Sequence, residues 1–160
     1  MQHIDIVAVG RVREQYLRAG INEYLKRLQP YARVRILEGP ESKVPEPLNP
    51  ARVEQILAAE GEGLKRLLRP GAYTIALDRE GLMLSSEELA TRLADLALAG
   101  RNNLAFVIGG TLGLARDLLE AADLRLSFSR FTFPHQLMRL ILLEQLYRAY
   151  KIQRGETYHR

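Results

Sequence analysis

The sequence has 160 residues and a mass of 18.2 kDa, with 47% hydrophobic and 26% charged residues. This composition excludes disordered and collagen-like chains, and the length predicts one domain spanning residues 1–160. The absence of cysteine excludes disulfides, thiolate zinc sites and cysteine nucleophiles. We also expect no metal, because His3, His135 and His159 are too scattered to form a ligand pair on one helical turn.

The amino-terminal residues do not resemble a secretory signal, since Asp5 interrupts the apolar run and Arg11 and Arg13 end it. No segment approaches the roughly 20 apolar residues that a membrane-spanning helix needs. We therefore expect a cytoplasmic protein without a membrane partner.

The net charge of +4 is unevenly distributed. Residues 11–35 and 125–160 each carry seven basic residues and two acidic ones. Nineteen of the 23 basic residues are arginine, whose planar guanidinium suits contacts with phosphate. The distribution is typical of a protein that binds a polyanion, and a solvated basic surface explains it equally well.

Short apolar strands alternate with amphipathic helices in the first half of the chain. The pattern predicts strands at 4–9, 33–37 and 72–78 and helices at 13–29 and 51–69. The proline-rich segment 38–50 predicts a loop, and Asn49 followed by Pro50 predicts the start of the second helix.

The alternation continues in the second half, where we predict strands at 103–110 and 124–129. Helices are expected from Ser85 or Ser86 to Leu98, over 112–122, and from Pro134 to about Tyr150. Such alternation predicts an α/β domain with a largely parallel sheet flanked by helices. Ligands bind such sheets at the carboxyl ends of the strands, which are Leu77–Asp78, Gly109–Gly113 and Phe128–His135 here.

The segment VIGGTLGLARD (107–117) predicts a strand, a glycine turn and a helix. It does not match the dinucleotide-binding pattern, because Ile108 stands where the first glycine belongs and Phe133 where a ribose-binding acid is expected. The turn alone fits a ligand site lined by backbone and a plain tight turn equally well.

Three of the four phenylalanines lie within six residues, at Phe128, Phe131 and Phe133, with Arg130 among them. Aromatic rings beside an arginine form a suitable wall for a nucleobase. Packing in the core is the more usual fate of alternating phenylalanines.

The last predicted helix is apolar on nearly all sides. Either a second copy of the chain or the rest of the same domain must bury this apolar surface. We favour the second copy and therefore predict a homodimer. The residues then expected near the interface between subunits are Arg148, Lys151, Arg154, Tyr158 and His159.

Several segments resemble the ribosomal large subunit methyltransferase H family of SPOUT methyltransferases. They are VAVG (7–10), LDREG (77–81), FVIGGTLGL (106–114), LSFSRFTFPHQLMRLILLEQLYRAYKI (126–152) and GETYHR (155–160). The resemblance runs from end to end and is weakest in the loop 38–50. It implies a SPOUT-type α/β fold with a carboxyl-terminal trefoil knot, a homodimer, and S-adenosylmethionine as methyl donor. The implied acceptor is N3 of a pseudouridine in the helix-69 loop of 23S rRNA, within the assembled ribosome.

The resemblance also implies two sets of site residues. The residues expected to line the cofactor are Leu77, Gly109, Phe128, Ser129, Arg130, Phe131, Thr132 and Phe133. The imide N3 carries a proton, so a group must remove it or stabilise the anion. The candidates for this catalytic role, acting in the partner's cofactor pocket, are His159, Tyr158, Arg154 and Arg148. A frayed terminus is the structural alternative for the tail. Asp78 is expected to form a turn and His135 to be structural.

Two other functions remain open from the sequence. One is a non-enzymatic dimer that binds RNA or the ribosome and retains only a vestigial pocket. The other is a related SPOUT enzyme that methylates tRNA.

Overall fold

The computed structural model describes residues 1–158, which form a five-stranded sheet with helices on both faces. The elements are β1 (Gln2–Val9), α1 (Gln15–Leu28), β2 (Ala32–Gly39), α2 (Pro50–Lys65), β3 (Tyr73–Met83), α3 (Ser86–Leu98), β4 (Asn103–Ile108), α4 (Arg116–Ala121), β5 (Leu124–Ser127) and α5 (His135–Gln153). The strand order is β2-β1-β4-β3-β5, and every pairing is parallel. The predicted α/β class with a largely parallel sheet is confirmed.

Two helices begin at the capping residues that the sequence indicates. Asn49 accepts a hydrogen bond from the backbone of Arg52, and Pro50 occupies the first turn of α2. Ser85 and Glu88 form a reciprocal capping box at the start of α3. These caps fix the amino ends of both helices close to the predicted positions.

The two faces of the sheet bury separate apolar clusters. The larger cluster packs α1, α3 and α5 against side chains of β1 and β4 that include Ile4, Ile6 and Phe106. The smaller cluster packs α2 and α4 against alternate residues of the same two strands, Val7, Val9 and Val107. The central strands are therefore buried on both faces, as the mostly apolar strand at 103–110 predicts.

Strands β4, β3 and β5 are neighbours in the sheet, so their carboxyl ends lie side by side. Ala76 of β3 pairs with Val107 of β4, and Leu77 pairs with Leu126 of β5. The pairing of β3 with β5 is interrupted after Leu77 and resumes at Leu82 and Met83. The segments predicted to bind ligand therefore emerge from three adjacent strands.

Helix α5 packs on both α1 and α3, and Leu142, Leu143 and Leu146 are fully buried. The chain's own helices thus cover much of the apolar surface that the sequence analysis assigns to a second copy. The homodimer and the trefoil knot stay predictions. Within residues 1–158, no helix has the length and apolar character that a membrane crossing requires.

Candidate active site

A cavity of about 350 Å³ opens where β5 meets the start of α3 and one face of α5. We call it the β5 cavity; its lining consists of Leu84, Ser85, Ser86, Leu89, Leu126, Ser127, Phe128, Phe133, Ile141 and Gln145. None of these side chains carries a formal charge. Apolar faces with a few hydroxyl and amide groups are the usual lining of a small-molecule site.

A larger cavity of about 580 Å³ runs along the outer side of α3. Its lining includes Glu87, Glu88, Arg92 and Asp95. The one residue of β3, β4 or β5 that lines it is Tyr73, at the amino end of β3, so the carboxyl-terminal residues of these strands do not line it. The β5 cavity is the better candidate, because ligands of parallel sheets bind at the carboxyl ends of the strands.

The loop from Phe128 to Phe133 contributes to the β5 cavity through its two end residues. Ser129 organises the middle of this loop, because its hydroxyl accepts a hydrogen bond from the backbone of Phe131 at 2.9 Å. The hydroxyl of Ser127 donates to the carbonyl oxygen of Ser129 at 3.2 Å. The loop is therefore held by its own short side chains.

The structure places Leu77 and Gly109 near the same edge, but neither lines the β5 cavity. Leu77 is half-buried in the larger core cluster. Gly109 is buried, and a Cβ atom there would lie only 2.3 Å from the carbonyl oxygen of Gly113. The backbone that approaches Gly109 is thus that of its own turn, which explains the glycine without a ligand.

Arg130, Phe131 and Thr132 have side chains directed away from the β5 cavity. Phe131 is 79% exposed. Arg130 lines a separate cleft, and Thr132 accepts a hydrogen bond from Arg79 at 2.7 Å. Only the backbone of these three residues remains available to a ligand in the β5 cavity.

The predicted catalytic residues divide into two groups. Tyr158 donates to Glu144 at 2.9 Å, and the guanidinium of Arg148 lies 4.8 Å from the centre of the Tyr158 ring. Arg154 instead lies over Tyr31, 4.4 Å from its ring centre, at the far end of α5. That end is roughly 30 Å along the helix from the Phe128–Phe133 loop.

His159 lies outside the described residues. Among the described candidates, the structure brings Arg148 and Tyr158 together and leaves Arg154 apart.

Electrostatics fix the protonation states in the tail. Burial raises the pKa of the Tyr158 phenol above its usual value, and its hydrogen bonds with Tyr24 and Glu144 raise it further. The hydrogen bond with Glu144 raises the pKa of Arg148. Tyr158 is therefore a neutral hydrogen-bond donor at neutral pH, and Arg148 is a cation.

Sequence reasoning missed the residues that connect the tail with the β5 cavity. Gln145 lines the cavity, accepts from Ser86 at 2.6 Å and donates to Glu144 at 2.7 Å. Glu144 in turn accepts from Tyr158. The only signal available beforehand was the capping pattern around Ser85, which predicts a helix start and nothing about a cavity.

Asp78 and His135 are the two residues expected to be structural. Asp78 does not follow the strand as expected, because β3 continues to Met83; it lies in the irregular part of β3, where it accepts a hydrogen bond from the backbone of Glu80 at 3.2 Å. His135 begins α5, where its Nε2 lies 3.5 Å from Glu41, and burial lowers its pKa. Among residues 1–158, no group of three or more potential ligands is arranged to hold a metal ion.

Comparisons with known proteins identify the family. The family model described as "Predicted SPOUT methyltransferase" matches residues 2–159. The "Ribosomal RNA large subunit methyltransferase H" of Moorella thermoacetica is 77% identical over 160 residues, which is the whole of both chains. The protein of the same name from Carboxydothermus hydrogenoformans is 54% identical over 98% of this chain and 99% of that one.

The chain belongs to the ribosomal RNA large subunit methyltransferase H family. This result confirms the resemblance drawn from the sequence segments.

Solved structures agree with a SPOUT fold for this methyltransferase H family member. A probable methylase family protein from Haemophilus influenzae superimposes with a TM-score of 0.54 at 14% identity, covering 98% of this chain and 70% of that one. A probable methyltransferase from Bordetella pertussis gives a TM-score of 0.51 at 14% identity, with 93% and 95% covered.

Proposed function

We propose that this protein transfers a methyl group from S-adenosylmethionine to N3 of a pseudouridine in the helix-69 loop of 23S rRNA, within the assembled ribosome. The observation that carries the proposal is the 77% identity, from end to end, with a protein named as a large-subunit rRNA methyltransferase. The proposal includes one SPOUT domain over residues 1–160, a trefoil knot, and a cytoplasmic location beside the ribosome.

The β5 cavity supports the choice of donor. Its uncharged lining offers the rings of Phe128 and Phe133 to a nucleobase. Hydroxyl groups and the carboxamide of Gln145 offer partners to ribose and amino-acid oxygens and nitrogens. A volume of about 350 Å³ lies within the range of small-molecule sites. The residues present therefore fit this cofactor.

S-adenosylmethionine supplies an electrophilic methyl group on a positively charged sulfur. The protein's own contribution is to hold the reacting atoms in line and to exclude water. The backbone of the loop 128–133, closed by Ser127 and Ser129, encloses one side of the cavity. Leu77 of β3 pairs with Leu126, which lines the cavity, and we propose that Leu77 and the backbone of Gly109 also contact the cofactor.

The acceptor N3 is a poor nucleophile, because the imide is neutral and carries a proton that must be removed. Arg148 and Arg154 are cations suited to stabilising the anion. Tyr158 holds its own proton and therefore acts as a hydrogen-bond donor. His159 is the candidate with an ordinary pKa close to neutrality, so we assign it the removal of the proton.

These catalytic residues act across a homodimer in our proposal. Arg148, Arg154 and Tyr158 do not line the β5 cavity of their own chain. A second copy that presents its tail to this cavity completes the site, with the charged tail residues beside the acceptor base.

Methyl transfer from labelled donor tests the proposal. Assembled ribosomes, isolated small subunits and bulk tRNA are compared as acceptors. We expect label only with ribosomes, at one helix-69 pseudouridine, where a methyl group on the Watson–Crick edge stops reverse transcription.

Two results contradict the proposal. Label in tRNA indicates the related SPOUT activity. If no label is incorporated and calorimetry detects no heat of donor binding, the result supports the non-enzymatic dimer that binds the ribosome.

A further inference from the structure

The side chain of Phe131 is exposed although its loop is ordered. It is 79% exposed, and hydrogen bonds from Ser127 to the Ser129 carbonyl and from the Phe131 amide to Ser129 hold the backbone that leads to the ring. Single exposed apolar residues are common and need no explanation. This one differs because a fixed backbone presents it beside the candidate active site, where stacking would cost little conformational entropy.

A cleft of about 400 Å³ adjoins the loop that carries this ring, and two arginines line it. We call it the arginine cleft; its lining consists of Arg79, Glu80, Gly81, Met83 and Arg130. Arg79 also donates to Thr132 at 2.7 Å, which ties the irregular part of β3 to the loop that carries Phe131. The cleft and the exposed ring therefore form one surface.

The charges of this surface favour an anionic partner. Among residues 1–158, neither Arg79 nor Arg130 forms an ion pair. Glu80 is the single carboxylate in the lining of the arginine cleft. Unpaired guanidinium groups beside an exposed aromatic ring match the phosphates and bases of a single-stranded nucleic acid.

Gly81 lets the part of β3 that lines the arginine cleft lie close to β5. A Cβ atom on Gly81 would lie 2.6 Å from the carbonyl oxygen of Arg125, so the irregular segment of β3 presses directly on β5. Because Phe128 and Phe133 of the same loop line the β5 cavity, a strand bound on Phe131 passes beside that cavity.

We propose that Phe131, Arg79 and Arg130 bind the nucleotide that flanks the methylated one. The base stacks on Phe131, and the two guanidinium groups contact the adjacent phosphates. This inference rests on the proposed function and adds to it a recognition surface distinct from the donor cavity.

Binding to ribosomes, measured without methyl transfer, tests the inference. The full-length protein, labelled at its amino terminus, is titrated with 70S ribosomes at fixed magnesium and several potassium concentrations. We expect Phe131→Ala to weaken binding about tenfold and Phe131→Tyr to restore it, because stacking needs only a ring. The double variant Arg79→Ala/Arg130→Ala should reduce the salt slope by about 1 to 1.5, and Phe131→Ala should leave it unchanged.

Leu98→Ala and Arg101→Ala are the matched controls. Both residues are exposed and lie near the amino-terminal ends of the strands, Leu98 at the end of α3 and Arg101 just before β4, so we expect wild-type affinity. Sedimentation of Phe131→Ala should match that of the wild type. A change in its oligomeric state would show that Phe131 belongs to a contact between copies, and would overturn the inference.

Unchanged ribosome affinity in Phe131→Ala and in the double variant also overturns the inference. Its failure is distinguishable from failure of the proposed function. A wild-type protein that methylates ribosomes while Phe131→Ala binds normally refutes only this surface. A wild-type protein that binds through the surface but transfers no methyl group refutes only the activity.

Discussion

The phenol of Tyr158 donates a hydrogen bond to Glu144 Oε2 over 2.9 Å, although the last part of α5 and the chain reversal that follows it separate the two residues. Glu144 also accepts from Arg148 at 2.6 Å, so one carboxylate holds both candidate catalytic side chains. The edge of the Tyr147 ring adds a contact of 4.8 Å between ring centres. The tail thus has a defined anchor on its own helix, unlike a frayed end.

Replacing Tyr158 by phenylalanine removes the hydrogen bond and keeps the ring contacts with Tyr147 and Arg148. We expect the single-turnover rate of methyl transfer to fall by about 10- to 100-fold, since a hydrogen bond to a charged group contributes about 1.5–3 kcal/mol. Donor affinity measured by calorimetry should not change. Tyr16→Phe, at an exposed position on α1, serves as the control. Full activity of Tyr158→Phe would falsify the anchoring role.

Local sequence patterns are sufficient to predict most of the fold. Caps and periodicity place nine of the ten elements to within a few residues of their observed ends. The main error is β3, predicted to end at 78 and observed to reach Met83. Its second part exists because Leu82 and Met83 pair with β5, more than 40 residues away, and no local pattern reports that pairing.

The candidate site is predictable only in part, for the same reason. The loop 128–133 follows from its position at the end of a strand. Gln145 and Ser86 meet across two helices, and neither carries a local signal. The outward orientation of Phe131 depends on two serine hydroxyl groups, which a count of aromatic residues does not reveal.

Substituting Gly109 by alanine should disturb the turn that follows β4. The new Cβ would lie 2.3 Å from a backbone oxygen of Gly113, so the turn itself has to move. We expect a large decrease in melting temperature together with weaker donor binding. Gly110→Ala is the neighbouring control, because its Cβ would meet side chains rather than backbone, with Glu60 at 3.1 Å and Val9 at 3.2 Å. Equal melting temperatures for the two variants would contradict this reading of the turn.

Arg139 connects α5 with the carboxyl end of β1. It is fully buried and donates to Glu38 at 2.6 Å and to the carbonyl oxygens of Val9 and Gly10 at 2.9 and 2.6 Å. Arg139→Met leaves these acceptors unpaired, so we expect the free energy of unfolding to fall by about 2–4 kcal/mol. Urea denaturation measures the change.

The control for Arg139 is Arg125→Met, at an exposed position on β5. It should change the free energy of unfolding by less than about 0.5 kcal/mol. A loss at Arg139 no greater than that at Arg125 would show that the buried guanidinium does not fasten α5 to the sheet.

Glu60 should make stability depend on pH. Its Oε2 accepts from the backbone of Ser42, whereas Oε1 is buried without a partner beside Gly110. Burial raises its pKa above the ordinary 4.5, so the folded state binds the proton more tightly than the unfolded state. The stability that Glu60 contributes through this tighter proton binding is fully present below pH 4.5. It is lost as the pH rises through the pKa of Glu60 in the folded state. The wild type should therefore lose stability between pH 5 and pH 8 through Glu60. Glu60→Gln should lose less than the wild type over this range, when the free energy of unfolding is measured at both pH values.

The control is Glu54→Gln, at an exposed position on the same helix, which should keep the wild-type difference between pH 5 and pH 8. An identical pH dependence in both variants would refute the assignment to Glu60.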